Sequence, residues 1–282
     1  ILRIKFVIYE NNLIIGKANK YLLPFAQKIF VSYKELEGIS EKYKYKVIEV
    51  GNIVREEIIN SNILDNGTTK FDNLNILVLG GSQAAKIFAE EFPQIFKKLS
   101  ESKIRIKIYQ QCQKNQNEQL TQFYKKAQIN FEIFNFTSNI MDYYSKSNLV
   151  ITRSGASVLG ELVNVKIPFI SIPLPTSADN HQHKNAQFYS KKGYGIFLEE
   201  KDIKNKMYDL IVSIFNDKSV LESILLNQRQ QSDKDIFENL NSQIEKILNE
   251  KNELRSKGRY PFCWDWRYRN ERVSSNHEKH RV

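Results

Sequence analysis

Three polar loops carry the residues with chemistry to offer, and each follows a short apolar run. Ile76-Leu77-Val78-Leu79-Gly80-Gly81-Ser82-Gln83 reads as a strand, a tight glycine turn and a helix start. Bare amides at a helix N-terminus attract phosphate, and Ser82 adds a hydroxyl donor. The plainer reading makes Ser82 an N-cap and nothing more. A GxxxxGK loop followed by Ser or Thr is absent from this segment, which argues against a P-loop NTPase. Thr152-Arg153-Ser154-Gly155-Ala156-Ser157 repeats the device, with Glu161 five residues beyond Ala156. Small residues let a ligand approach the backbone there, and a carboxylate at that place accepts the hydroxyls of a ribose. Taken alone, Glu161 reads as a surface charge near a positive helix end. The third loop, Pro173 to Ala186, holds Asp179, His181, Gln182, His183 and Asn185. Its two histidines, spaced i, i+2 on a helix, point apart, so the run suits hydrogen bonds to a sugar better than a metal. Three such loops at the carboxyl ends of parallel strands converge on one crevice.

Other arrangements carry less. Asp233-Lys234-Asp235 has the spacing of a glycosyltransferase metal motif but falls at an expected helix start, where acidic residues complement the dipole. Cys112 and Cys263 cannot build a disulfide framework or a metal cluster. No Ser, His and Asp stand in a nucleophile-elbow context.

The elements that must position these loops follow a regular order. Ile4–Tyr9, Ile29–Val31 and Val47–Val50 read as strands, with a helical stretch over Lys17–Lys28 interrupted by Pro24. Asn60–Asn75 is polar and aperiodic and reads as a linker. Beyond it, strands at Ile76–Leu79, Ile104–Tyr109, Phe131–Phe134, Leu149–Thr152 and Pro168–Ile172 alternate with helices, among them Ala156–Asn164 and Asn180–Lys192. Asp202–Glu250 reads as helical throughout. Strands alternating with helices of this length predict a doubly wound α/β domain with a parallel sheet covered on both faces.

Composition agrees with a globular chain: 41% hydrophobic and 26% charged residues over 282 positions, with no apolar run long enough to cross a bilayer. The net charge of +10 suits an anionic partner. Lysines are spread rather than gathered into a stripe, and no basic-aromatic sheet motif or zinc spacing is present, so nucleic acid is not expected. From Gly258 onward the pattern breaks off, and both tryptophans, Trp264 and Trp266, fall there. The codons of this tail, read one base later, permit text that looks like the nucleotide-binding start of a muramate–alanine ligase, so the tail reads as an out-of-frame continuation.

The segments Gly80-Gly81-Ser82-Gln83-Ala84-Ala85, Arg153 to Glu161 and Pro173 to Ala186 resemble the three signatures of the bacterial MurG family. These are UDP-N-acetylglucosamine--N-acetylmuramyl-(pentapeptide) pyrophosphoryl-undecaprenol N-acetylglucosamine transferases. Tyr9-Glu10-Asn11-Asn12 resembles the family's His-Glu-Gln-Asn segment, and Gly51-Asn52-Ile53-Val54-Arg55 its Gly-Asn-Pro-Val-Arg. The similarity runs from the first residues to about Asn249. It implies an α/β fold of GT-B type, two Rossmann-like domains with the N-terminal one incomplete. Residues 1–60 would be a remnant of the acceptor and membrane domain, 61–74 a linker, 75–235 the UDP-sugar domain, 236–257 a C-terminal helix and 258–282 a tail foreign to the family.

The implied activity is an inverting transfer of N-acetylglucosamine from UDP-N-acetylglucosamine to the muramoyl 4-hydroxyl of lipid I, giving lipid II. Its implied partners are that donor, lipid I and the anionic cytoplasmic face of the inner membrane, with no cofactor and no metal. Family donor roles fall on Asn12 and Arg55, on Ser82 at the pyrophosphate, and on Thr137 near the base by counting back from Arg153. Ala156, Ser157, Val158, Leu159, Gly160 and Glu161 fall at the ribose and diphosphate, and Gln182 at the sugar. The family's opening Gly-Gly-Thr-Gly-Gly-His loop, with its general base, has no match here, so no catalytic residue is assigned. Two alternatives stand beside the transferase: a UDP-sugar-binding remnant, soluble in the cytoplasm, and one half of a two-chain enzyme. Tyr9, Asn11, Ile53 and Ala84 depart from the family's His, Gln, Pro and Gly. Lys17, Lys20 and Lys28 beside Leu22, Leu23 and Phe25 read either as part of a membrane-facing patch or as a covered amphipathic helix.

Overall fold

The computed structural model describes residues 5–61, 73–81 and 85–256, with side chains through residue 249. Ser82, Ala84, most of the expected linker and the tail from Gly258 lie outside the described residues. The chain divides into two compact units, one ending at Phe237 and one beginning at Glu238. The described part of the second is the body of one helix, α10 (Ile236–Ser256).

The first unit holds two parallel sheets. Strands β1 (Ile8–Glu10), β2 (Ile29–Val31) and β3 (Val47–Glu49) form the smaller one in that order. Helix α1 (Lys17–Leu22) links β1 to β2, and α2 (Glu56–Ile59) follows β3. The α1 helix stops well short of Lys28 because Pro24 has no N–H to continue the ladder. A small core of Ile8, Ile15, Leu23, Ala26, Ile29 and Val31 fills this sheet's face.

The larger sheet has six strands: β4 (Leu74–Leu79), β5 (Ile106–Gln111), β6 (Asn130–Phe134), β7 (Leu149–Arg153), β8 (Phe169–Ile172) and β9 (Ile196–Phe197). Their order is β6-β5-β4-β7-β8-β9, all parallel. Successive side chains of a strand point to opposite faces, and β4 shows the consequence. Leu74, Ile76 and Val78 enter one core, while Leu77 and Leu79 enter the other. The first core takes Phe88, Phe92 and Phe96 from α3 (Lys86–Glu101), Leu120 and Tyr124 from α4 (Asn117–Lys126), and Met207 and Ile211 from α8 (Ile203–Asn216). The second takes Tyr144 from α5 (Met141–Lys146), Leu159, Leu162 and Val163 from α6 (Ala156–Val165), and Tyr189 from α7 (His181–Lys191). Each fully buried Phe or Leu contributes about 1.5–3 kcal/mol, so both faces of the sheet are firmly covered.

Leu13, Tyr33, Val54 and Ile58, all outside the larger sheet, also belong to this second core, while the smaller sheet keeps a core of its own. Residues 202–250 form three helices: α8, α9 (Ser219–Arg229) and α10. The break before α10 has a purpose. Asp233 is 4% exposed, and its carboxylate accepts the Asn52 N–H at 3.1 Å, Asn52 Nδ2 at 3.0 Å and Asn164 Nδ2 at 2.7 Å. Asp233 therefore does more than complement a helix dipole: it joins the turn after β3 to α6. Gly51 sits at φ 103° in that turn, and a Cβ there would meet Asp233 Oδ1 at 2.6 Å.

Candidate functional site

In the larger sheet the chain leaves the two central strands, β4 and β7, toward opposite sides, which opens a crevice at their carboxyl ends. The Gly80-Gly81 turn and the N-terminus of α6 both lie on this rim. Gly80 N–H donates to Gln111 Oε1 at 3.1 Å, and Gly81 turns at φ 77°, a conformation that favours glycine. The two glycines share a cavity of about 420 Å³ with Lys86, Arg153, Gln182 and Glu200. Gln182 reaches it from the start of α7, and its Oε1 accepts the Leu174 N–H at 2.9 Å. Residues of all three expected loops thus meet in one cavity: Gly80 and Gly81, Arg153, and Leu174 with Gln182.

The α6 residues separate by orientation. Ala156 and Leu159 are buried, and Gly160 packs on Asn52, where an added Cβ would stand 3.1 Å from the side chain. Val158 is half-buried against the second core, and Ser157 is exposed, accepting a hydrogen bond from Asn11 Nδ2 at 3.1 Å. Glu161 does not line the cavity. Its two oxygens each take an N–H of Arg55 at 3.2 Å, from Nε and Nη2, and Tyr144 OH donates to Oε2 at 3.1 Å. Burial pulls the Arg55 guanidinium down, but the bonds and charge of Glu161 outweigh it and raise its pKa. Burial first and Glu161 second push the Tyr144 phenol well above its ordinary range, so it stays a donor.

Asn12 is tied from both sides: its N–H and Nδ2 donate to Glu10, and its Oδ1 accepts Asn185 Nδ2 at 3.2 Å. Asn185, fully buried on α7, also accepts the Leu13 N–H and donates to the Ser154 carbonyl. Thr137 stands in the loop after β6, half-buried, with Oγ1 accepting the Asn139 N–H at 3.1 Å. That loop leads into α5 and so to Tyr144. His181 and His183 take separate partners, the Ala178 carbonyl and Glu199. Sequence reasoning passed over Tyr144, Glu200 and the bridging role of Asn185. Only Asn185 had a signal, its place in the third motif.

Comparison with known proteins gives this geometry a family. The model for the glycosyltransferase family 28 C-terminal domain matches residues 75–240. The UDP-N-acetylglucosamine--N-acetylmuramyl-(pentapeptide) pyrophosphoryl-undecaprenol N-acetylglucosamine transferase of Pelagibacter ubique is 33% identical over 254 residues, covering 89% of this chain and 69% of the relative. The enzyme of the same name from Rickettsia felis is 35% identical over 241 residues, covering 82% and 67%. Among solved structures, Acinetobacter baumannii MurG aligns with a TM-score of 0.70 at 22% identity, over 86% of this chain and 68% of that one. A Staphylococcus aureus MnaA–UDP complex aligns with a TM-score of 0.55 at 16% identity, over 80% and 62%. These two likenesses are of fold, the GT-B arrangement. Taken with the family match and identities of 33% and 35% over most of the chain, they show that the chain belongs to the MurG family of glycosyltransferases.

Proposed function

We propose that this chain transfers N-acetylglucosamine from UDP-N-acetylglucosamine to the muramoyl 4-hydroxyl of lipid I in peptidoglycan synthesis, with inversion at the anomeric carbon. The observation that carries the proposal is the meeting of the Gly80-Gly81 turn and Gln182 in one cavity at the crevice between β4 and β7. In this reading residues 75–235 hold the donor. The diphosphate lies against the Gly80-Gly81 turn and the N-terminus of α6, whose amides stabilise the charge that develops as UDP leaves, with Ser82 as its hydroxyl partner. Glu161 takes the ribose hydroxyls, the Thr137 loop borders the base, and Gln182 meets the sugar. Asn12 and Arg55 close the site from residues 1–60, the side that receives the acceptor. The attacking hydroxyl needs a base within hydrogen-bond reach, and no described residue is assigned that role.

The same reading places the chain at an anionic membrane face. No helix among the described residues is long and apolar enough to cross a membrane. Around α1, however, Tyr21, Leu22 and Phe25 are 81%, 46% and 73% exposed beside Lys17, Lys20 and Lys28. Leu23 and Ala26 are buried there, and the exposure of Tyr21, Leu22 and Phe25 favours the membrane-facing reading over the covered amphipathic helix. Aromatic and aliphatic side chains ringed by lysines suit an acidic lipid interface.

Incubation of the chain with radiolabelled UDP-N-acetylglucosamine and lipid I tests the proposal. Label should pass to the lipid fraction and be lost in Gln182→Ala. Label that stays with the nucleotide while the chain is folded and saturated with donor would refute the transfer.

A further inference from the structure

One wall of the cavity contains a buried cation to which the donor roles above give nothing to do. Arg153 ends β7 and is 7% exposed. Its Nη1 donates to the carbonyls of Ile172 at 3.4 Å and Pro173 at 3.2 Å, and its Nη2 pairs with Glu200. The guanidinium carbon lies 4.7 Å over the Phe88 ring, within the range of a cation–π contact.

The Pro173 carbonyl and the Leu174 N–H belong to one peptide group. That group is planar, so fixing one end fixes the direction of the other. Arg153 holds the carbonyl, and the N–H at the opposite end donates to Gln182 Oε1 at 2.9 Å. The peptide is therefore gripped from two sides, and the side chain that meets the cavity takes its orientation from the grip. A lysine cannot substitute, because a single ammonium lacks the planar fork that serves two carbonyls and a carboxylate together.

We propose that Arg153 is a positioning residue for the sugar end of the donor site: it locks the Pro173–Leu174 peptide, and through it the side chain of Gln182, while Glu200 holds the guanidinium in place. The inference rests on the reading of this cavity as the sugar-diphosphate site, and the test separates the two. In full-length Arg153→Lys, hydrogen exchange at the Leu174 amide should quicken by about tenfold or more, because the peptide is freed on one side. UDP-N-acetylglucosamine should bind about tenfold more weakly and UDP within about twofold of wild type, since only the sugar contact is disturbed. The double variant with Gln182→Ala should bind the donor no more weakly than Gln182→Ala alone, the signature of two residues acting as one unit.

An unchanged Leu174 exchange rate overturns the clamp whatever the ligand does. Equal losses for UDP and UDP-N-acetylglucosamine, or additive losses in the double variant, also overturn it. If Arg153→Lys fails to fold, Glu200→Gln serves, with exchange at Leu174 and donor dissociation each expected to rise about threefold and unchanged values overturning the proposal. A wild-type chain that binds neither UDP nor UDP-N-acetylglucosamine refutes the site reading, while the exchange rate still tests the clamp.

Discussion

The Arg55–Glu161 pair makes a prediction whose sign depends on the ligand. Both oxygens of Glu161 are engaged by Arg55 at 3.2 Å, across segments 106 residues apart in sequence. The Arg55 side chain is 44% exposed and that of Glu161 is 16%, so solvent weakens the attraction. An exposed pair contributes 0–1 kcal/mol, and the two-pronged geometry puts this one near the upper end, about 1 kcal/mol. If Glu161 is to accept ribose hydroxyls, this pairing must first loosen, and its free energy is subtracted from binding. Arg55→Ala removes the competitor, so uridine should bind about three- to fivefold more tightly than to wild type, 1.4 kcal/mol being tenfold. UDP should bind more weakly, because the freed guanidinium of wild type meets the diphosphate and a charged hydrogen bond contributes about 1.5–3 kcal/mol. Calorimetric titration of both ligands at low salt reads the two signs. In about 0.5 M salt the gain for uridine should shrink as the ion pair is screened in wild type too. Uridine and UDP shifting in the same direction in Arg55→Ala would refute the reasoning.

Four further outcomes are expected. Glu161→Ala should weaken UDP-N-acetylglucosamine binding by about 1–3 kcal/mol, the loss on stranding hydrogen-bonded polar groups, and wild-type affinity by calorimetry would remove Glu161 from the site. Asp233→Ala strands Asn52 and Asn164 donors in a buried place and should lower stability by about 2–4 kcal/mol, a Tm shift of roughly 5–10 °C by thermal denaturation. Burial brings the Lys166 pKa down to about 8, with Asp233 pulling it back up and Lys234 pushing it down. The unfolded lysine then holds a proton that the folded one lacks from about pH 8 upward, so stability should rise with pH between about 8 and 10. Denaturant titrations should show that rise in wild type and a flatter profile in Lys166→Met. Tyr21→Ser combined with Phe25→Ser should abolish sedimentation with anionic vesicles without lowering Tm, and retained sedimentation would remove α1 from the membrane contact.

Much of the fold was legible because buried parallel strands write themselves as apolar, β-branched runs. Ile76-Leu77-Val78-Leu79 and Leu149-Val150-Ile151 are such runs, and β4 and β7 fall on them. Elements of two to four residues left no period to read: β9 at Ile196–Phe197 and α2 at Glu56–Ile59. Neither Gly nor Pro marks the break between α8 and α9, so that boundary had no punctuation to read. At the site, glycines and polar residues close to strand ends announced the rim. The pairings did not show, because contact depends on the folded path: Asp233 meets Asn52 from 181 residues away, and Arg153 meets Glu200 only because β7 lies one strand from β8 and two from β9. Glu161 illustrates the limit well. Its type and spacing were informative, yet its partner Arg55 comes from the other sheet's side of the chain.

The central claim is that the carboxyl rim at β4 and β7 holds a uridine diphosphate sugar. A crystal structure of the chain with UDP-N-acetylglucosamine tests it most directly. The account predicts the diphosphate at the Gly80-Gly81 turn, the ribose on Glu161 with Arg55 displaced, and the sugar beside Gln182. A nucleotide bound elsewhere on the molecule, with the Arg55–Glu161 pair intact, would contradict it.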